Sequence, residues 1–250
     1  MGEFSERVAL ITGASRGIGR VIAEVLAERG ARVVINYLDA EAEAEAAAKS
    51  VRDRGGDAII VQADVSDEQA VHRLAGVIRQ QCGRLDFLIN NAGDCKDQDI
   101  FDTSVEEWDR ILNVNLRGCF LCCKAAMKLM AERKFGRIVN ISSIVARRGA
   151  LFGHAHYAAS KSGMLGLTYT LARTGAPLGI NVNAIAPGMI ETDLLLSTNG
   201  RETIDQVSKE IPLGLGKPRD IALAAAFLCG EGGRYITGTT LDINGGAYMG

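Results

Sequence analysis

The chain has 250 residues, of which 47% are hydrophobic and 23% charged. That is too apolar for a disordered protein and long enough to bury a core without metal or disulfide staples. A formal net charge of −2 offers no basic field to nucleic acid or an anionic membrane, and the longest apolar stretch, Ile221 to Cys229, falls far short of the roughly 20 residues that span a bilayer.

From the N-terminus, Met1 to Glu6 is polar and carries no secretory apolar region, so the chain reads as cytosolic. Val8–Thr12 is a short apolar strand, followed by glycines and a helical stretch over Arg20–Arg29. Arg32–Asn36 is a second strand and Ala40–Arg54 an alanine- and glutamate-rich helix. Ala58–Gln62, Phe87–Asn90, Arg137–Ile141 and Asn181–Ile185 read as further strands. Helical stretches at Asp67–Gln81, Val105–Arg133 and His156–Thr174 lie between them. Strands that are apolar throughout, rather than alternating, belong in a parallel sheet covered on both faces. Alternation with helices predicts an α/β, doubly wound, Rossmann-like fold in a single domain over 1–250. Only the segment 189–217 breaks the rhythm and reads as a substrate lid. Its Leu194–Leu196, Ile204 and Ile211 either cover an apolar substrate tail or pack a helix. Six cysteines, at 82, 95, 119, 122, 123 and 229, lack zinc spacing and read as free thiols, mostly buried.

Three features carry chemistry. Thr12-Gly-Ala-Ser-Arg-Gly-Ile-Gly19 joins the first strand to the first helix. Glycines at 13, 17 and 19 allow a tight turn and a close approach to a pyrophosphate, which the helix N-terminus attracts. The second strand ends Ile35-Asn36-Tyr37-Leu38 with no carboxylate before Asp39, while Arg16 stands in the turn, placed for a 2′-phosphate. Tyr157 and Lys161 are one helical turn apart, so a cation stands beside a phenol and is expected to lower its pKa, with Ser143 as a donor to a carbonyl oxygen. Ser142 is the alternative serine. His154 and His156, in a loop that also holds Arg147 and Arg148, have no carboxylate or cysteine near in sequence, and no metal is expected. His72 reads as structural.

These motifs resemble the short-chain dehydrogenase/reductase family over essentially the whole chain. The TGxxxGxG turn is followed in order by Asp64-Val65, Asn90-Asn91-Ala92-Gly93, Asn115, Ser143, Tyr157-xxx-Lys161 and Pro187-Gly188. The resemblance implies catalysis by Ser143, Tyr157, Lys161 and Asn115, the last holding a water beside Lys161. It implies cofactor contacts from Gly13, Ser15, Arg16, Gly17, Ile18, Gly19, Asn36, Asp64, Val65, Asn91, Ala92, Gly93, Tyr157, Lys161, Pro187, Gly188, Ile190 and Thr192. NADP(H) is the expected cofactor; Asp39 keeps NAD(H) open.

The tail from Tyr235 to Gly246 is most similar to the 3-oxoacyl-[acyl-carrier-protein] reductase branch. That implies reduction of a ketone, above all a 3-oxoacyl thioester, in fatty acid biosynthesis, with an acyl carrier protein as partner at Lys134 and Arg173. The stretches 94–98 and 174–178 depart from that branch. Ser143 and Tyr157 are also fourteen residues apart where thirteen is common. The alternatives are an NAD-dependent dehydrogenase of a sugar, steroid or secondary alcohol, and a non-catalytic dinucleotide sensor. The family resemblance further implies a homotetramer joined through the helices of Asn115 and Tyr157 and through the C-terminal strand.

Overall fold

The computed structural model describes residues 2–150, 153–192, 195 and 201–250. Seven strands form one sheet: β1 (Val8–Ile11), β2 (Arg32–Tyr37), β3 (Asp57–Gln62), β4 (Phe87–Asn90), β5 (Gly136–Ile141), β6 (Ile180–Pro187) and β7 (Thr240–Ile243). Their order is β3-β2-β1-β4-β5-β6-β7, and all neighbours run parallel. In register, Leu10 stands beside Val34 and Leu88, and Ile11 beside Ile35 and Ile89. Because side chains alternate across a strand, each short run feeds two cores. Ala9, Ile11, Val33, Ile35, Phe87 and Ile89 join the residues of α1 (Gly17–Glu28), α2 (Glu41–Asp53) and α9 (Pro218–Cys229). Val8, Leu10, Val34 and Leu88 join those of α3 (Glu68–Cys82), α5 (Gly118–Ala131) and α7 (Ala155–Gly175). The chain winds outward from β1 to β3 and returns to β4 on the other side of β1. The strand ends there open a crevice, the place where such sheets take ligands.

The helical stretch expected over 105–133 is interrupted. α4 (Val105–Leu112) and α5 are joined by a π-helical turn, Asn113–Arg117, whose wider coil carries Asn115 inward. β7, which the apolar pattern did not mark, has half-exposed residues and completes the sheet edge. Cys122 and Cys123 are both buried, because α5 is enclosed around most of its circumference. Two further helices are described: α6 (Val145–Arg148) follows β5, and α8 (Arg201–Glu210) lies in the expected lid. Ile204 and Ile211 of that segment are buried, whereas Leu194 and Leu196 lie outside the described residues. All six cysteines are free: four are buried, and Cys82 and Cys95 half-buried. Among the described residues no helix is long and apolar enough to cross a membrane.

Candidate active site

The glycine turn is built by exclusion. Gly13 and Gly17 take φ of 60° and 59°, a left-handed backbone that suits glycine. A Cβ on Gly13 would stand 2.8 Å from Ala92 Cα, and one on Gly19 2.4 Å from Asn91 Nδ2. Gly17 faces open space instead. Thr12 and Asn91 lock the turn to the end of β4: Thr12 Oγ1 accepts from the N–H groups of Asn91 and Ala92, both at 3.0 Å, and Asn91 Nδ2 donates to the Thr12 and Gly13 carbonyls at the same distance. Thr12 was not singled out from sequence, although its place at the head of the motif marked it.

Asn36 is buried, and its amide is already committed. Oδ1 accepts from Gly13 N–H at 3.3 Å and Nδ2 donates to Ala63 O at 3.0 Å. It braces the turn against the end of β3. Arg16 is the extended N-cap of α1, exposed and without an ion pair among the described residues. Ser15 is buried, and Ile18 half-buried. Asp64 is exposed and accepts from the N–H and hydroxyl of Ser66, while Val65 is buried. Asp39 is exposed just beyond β2.

Across the crevice, β5 ends at Ser142 and Ser143. Ser142 Oγ donates to Lys161 O at 2.9 Å and is spent on the helix. Ser143 Oγ accepts from Val145 N–H at 3.3 Å and stands beside the Tyr157 phenol, close enough to pull its pKa down. Lys161 is 3% exposed and its Nζ donates to Ile141 O at 2.9 Å. Nζ also lies 5.6 Å from the Tyr157 ring centroid. The expected depression of the Tyr157 pKa is absent. Burial is the largest influence and raises it; a charge on Cys95 would raise it further, and the Ser143 hydrogen bond pulls it down. The phenol is therefore protonated at rest. Burial also brings Lys161 down to about 8, with Cys119 and Cys95 opposing.

Asn115 is buried, and its amide pins this group together. Oδ1 accepts from Asp94 N–H at 2.7 Å; Nδ2 donates to Asp94 O at 2.9 Å and to Ser160 Oγ at 3.0 Å. Ser160 donates in turn to Tyr157 O at 2.7 Å. Neither Ser160 nor the Ile141 carbonyl was singled out from sequence; Ser160, next to Lys161, had a local signal, and Ile141 had none. A Cβ on Gly93 would sit 3.3 Å from both Asn115 Oδ1 and Lys161 Nζ, so only glycine fits that floor without displacement.

The loop after β5 divides its labour. Arg147 pairs with Asp242 at 3.2 Å and Arg148 donates to Ala247 O at 3.4 Å, so both tie down the C-terminal segment. His156 is buried and its Nδ1 accepts from Tyr157 N–H at 2.8 Å, starting the helix that carries the phenol. His154 faces the loop after β4. His72 is exposed on α3. Among the described residues no group of three or more His, Cys, Asp or Glu side chains is placed to hold a metal.

Past β6, Gly188 donates to Ile243 O at 2.9 Å, while Pro187 O accepts from Ile144 N–H at 2.8 Å. A parallel bridge then uses Glu191 N–H and Met189 O on Gly216, which turns the Ile190 N–H the other way, unpaired among the described residues. Thr192 Oγ1 accepts from Leu195 N–H at 3.3 Å. The open face at Gly17, at the start of α1, and the Ile190 N–H and Arg16 side chain, both unpaired among the described residues, fit a dinucleotide cofactor.

Comparison with known proteins agrees with this geometry. A family model described as enoyl-(acyl carrier protein) reductase matches residues 13–248. The 3-oxoacyl-[acyl-carrier-protein] reductase FabG of Staphylococcus aureus is 42% identical over 242 residues, covering 96% of this chain and 98% of that protein. The 3-oxoacyl-[acyl-carrier-protein] reductase of Synechocystis is 39% identical over the full length of both. A crystal structure from Sinorhizobium meliloti 1021, described as a short-chain alcohol dehydrogenase, superposes with a TM-score of 0.92 at 38% identity, over 97% of this chain and 96% of that one. The chain thus belongs to the short-chain dehydrogenase/reductase family, and is an oxidoreductase that works with a nicotinamide dinucleotide on the CH–OH/C=O pair.

Proposed function

We propose that this enzyme reduces the ketone of a 3-oxoacyl thioester to a secondary alcohol with NADPH. The observation that carries the reading is buried Lys161, its Nζ 5.6 Å from the Tyr157 ring, with Ser143 beside the phenol. A nicotinamide cofactor, when bound, would supply the hydride that the carbonyl carbon takes up. Ser143 and the Tyr157 phenol hold the carbonyl oxygen, and Tyr157, protonated at rest because burial raises its pKa, gives that oxygen its proton. The phenolate left behind is stabilised by the Ser143 hydroxyl beside it and by the Lys161 ammonium nearby. Asn115 holds the loop of Asp94 and helix α7 in register.

Arg16, with no carboxylate at the end of β2, favours the 2′-phosphate of NADPH. The segment 189–217 serves as lid, and exposed Lys134 and Arg173 offer a docking surface to an acidic acyl carrier protein. The relatives named as 3-oxoacyl-[acyl-carrier-protein] reductases support that substrate class, and with it a cytoplasmic place in fatty acid biosynthesis. A homotetramer is the proposed assembly.

The test is oxidation of NADPH and of NADH at 340 nm with acetoacetyl-CoA. We expect NADPH to be preferred, and Tyr157→Phe to lower kcat by about a thousandfold or more while NADPH still binds. Turnover only with NADH and a sugar, steroid or simple alcohol would move the enzyme to another branch of its family. Reduction of crotonyl-CoA but not acetoacetyl-CoA would make it an enoyl reductase.

A further inference from the structure

Tyr157 stands in the first turn of α7, where a helix leaves its backbone N–H groups without partners. The side chain of the N-cap residue ordinarily takes one of them. Here the N-cap is His154, whose side chain makes no such bond. Its Nδ1 lies 3.0 Å from Lys96 O instead. The duty falls to His156, two residues further on, whose Nδ1 accepts from Tyr157 N–H at 2.8 Å. The Tyr157 carbonyl is held as well, by Ser160 Oγ at 2.7 Å. Side chains thus fix the backbone on both sides of the phenol.

A backbone N–H only donates, so His156 Nδ1 is bare and the proton of the neutral ring sits on Nε2. A second proton, on Nδ1, would set two donors against each other across 2.8 Å. The surroundings oppose it too. His156 is 0% exposed, and its Nε2 is buried without a hydrogen-bond partner among the described residues, so a charged ring would find little to replace its hydration. The positive end of the helix dipole disfavours a cation in the first turn. α4 packs against α7 and brings Glu107 and Arg110, which pair with each other at 2.6 Å, while Lys96 reaches Glu107 at 3.7 Å. Burial is the largest influence on His156 and lowers its pKa; His154 and Arg110 add to that, and Glu107 and the His154 carbonyl oppose it.

We propose that His156 is a positioning residue for Tyr157: its neutral imidazole holds the first turn of α7, and protonation of the ring releases that hold and gives the reduction its acid limb. The inference rests on the carbonyl-reduction reading of Tyr157. Neither Tyr157 nor Lys161 supplies such a limb. Burial raises the phenol and brings Lys161 down to about 8, so both lose their protons on the basic side.

Nitrogen NMR of the histidine rings tests the hold without turnover. The chain has three histidines, and His156→Asn identifies the signal. Expected is an Nε2–H tautomer that protonates only below the ordinary value of about 6.5. An Nδ1–H tautomer, or a ring protonated at or above that pH, overturns the hold whatever the enzyme reduces. A ring still neutral where the protein unfolds in acid overturns the acid limb.

Turnover of acetoacetyl-CoA with NADPH tests the consequence. Asparagine places Oδ1 where histidine has Nδ1 and does not titrate. His156→Asn should therefore keep kcat within about twofold at pH 7.5 and lose the fall of about tenfold per pH unit that wild type shows below the titration of His156. His156→Phe, without an acceptor, should lower kcat about fivefold at pH 7.5 with KM for NADPH changed by less than about twofold. An acid limb that survives in His156→Asn, or a His156→Phe that matches wild type, overturns the proposal. Should His156→Phe not fold, the tautomer and the pH profile of His156→Asn decide.

Discussion

Lys161 carries a consequence for stability that its role with Tyr157 does not require. Burial lowers it to about 8 from an ordinary 10.5. In the unfolded chain it holds its proton to the higher value. Between the two the unfolded state binds more protons, so this residue makes stability rise with pH. Below pH 8 the native state bears the whole cost of the buried ammonium, on the order of 3 kcal/mol. Thiols act in the opposite sense. Cys95, pushed up to about 11, and Cys229, pushed up to about 12, stay protonated in the native state while unfolded cysteines ionise near 9. The contribution of Lys161 is therefore read as a difference. In urea unfolding of the cofactor-free protein, wild type is expected to gain about 3 kcal/mol relative to Lys161→Met between pH 7.5 and 10.5. A difference that stays flat across that window rejects the assignment.

The turn between β1 and α1 separates two things glycine does. At Gly17 the φ of 59° is the only obstacle to a side chain, because nothing lies within 4 Å of the added Cβ. At Gly19, with ordinary helical backbone, the obstacle is contact: Asn91 Nδ2 at 2.4 Å and Gly13 O at 2.7 Å. Gly17→Ala should cost about 1 kcal/mol of strain and yet weaken cofactor binding, since its open face is where the pyrophosphate would lie. Gly19→Ala should cost more, about 2–3 kcal/mol, because it displaces Asn91 and undoes the lock on β4. Thermal unfolding and NADPH titration measure the two separately, and equal destabilisation by both would refute the distinction.

This turn was legible in sequence because its requirements are local, and so was the pair Tyr157 and Lys161. The π turn at Asn115 was not, and the partner that its side chain binds, Asp94, stands twenty-one residues away. The bracing role of Asn36 was not legible for the same kind of reason: its partners, Gly13 and Ala63, come from two other segments. Arg147 and Arg148 read as a basic loop at the site, because nothing near them in sequence announces Asp242 or the Ala247 carbonyl.

Across the whole molecule, the two layers of helices leave apolar side chains outward on opposite sides. Phe120 on α5 and Tyr169 on α7 are exposed on one side of the sheet; Leu223 and Phe227, one turn apart on α9, are exposed on the other. A chain with one such face pairs into a dimer. Two independent faces, each self-complementary about its own two-fold axis, generate a closed tetramer. The proposed homotetramer is therefore expected to use both. By sedimentation velocity the wild type should run at four times the chain mass of 26.6 kDa. Phe120→Glu with Tyr169→Glu should stop assembly at twice that mass, because an unpaired carboxylate buried in an interface costs more than a single contact returns. Leu223→Glu with Phe227→Glu should also stop at twice the chain mass, through the other face, and the four changes together should leave single chains. A wild type that runs as a single chain rejects the tetramer. A tetramer that survives each pair of changes rejects these two faces as its interfaces. Activity discriminates further: α5 follows directly on the Asn115 turn and α7 carries Tyr157, so loss of the first face should lower kcat, whereas loss of the α9 face should leave it nearly unchanged.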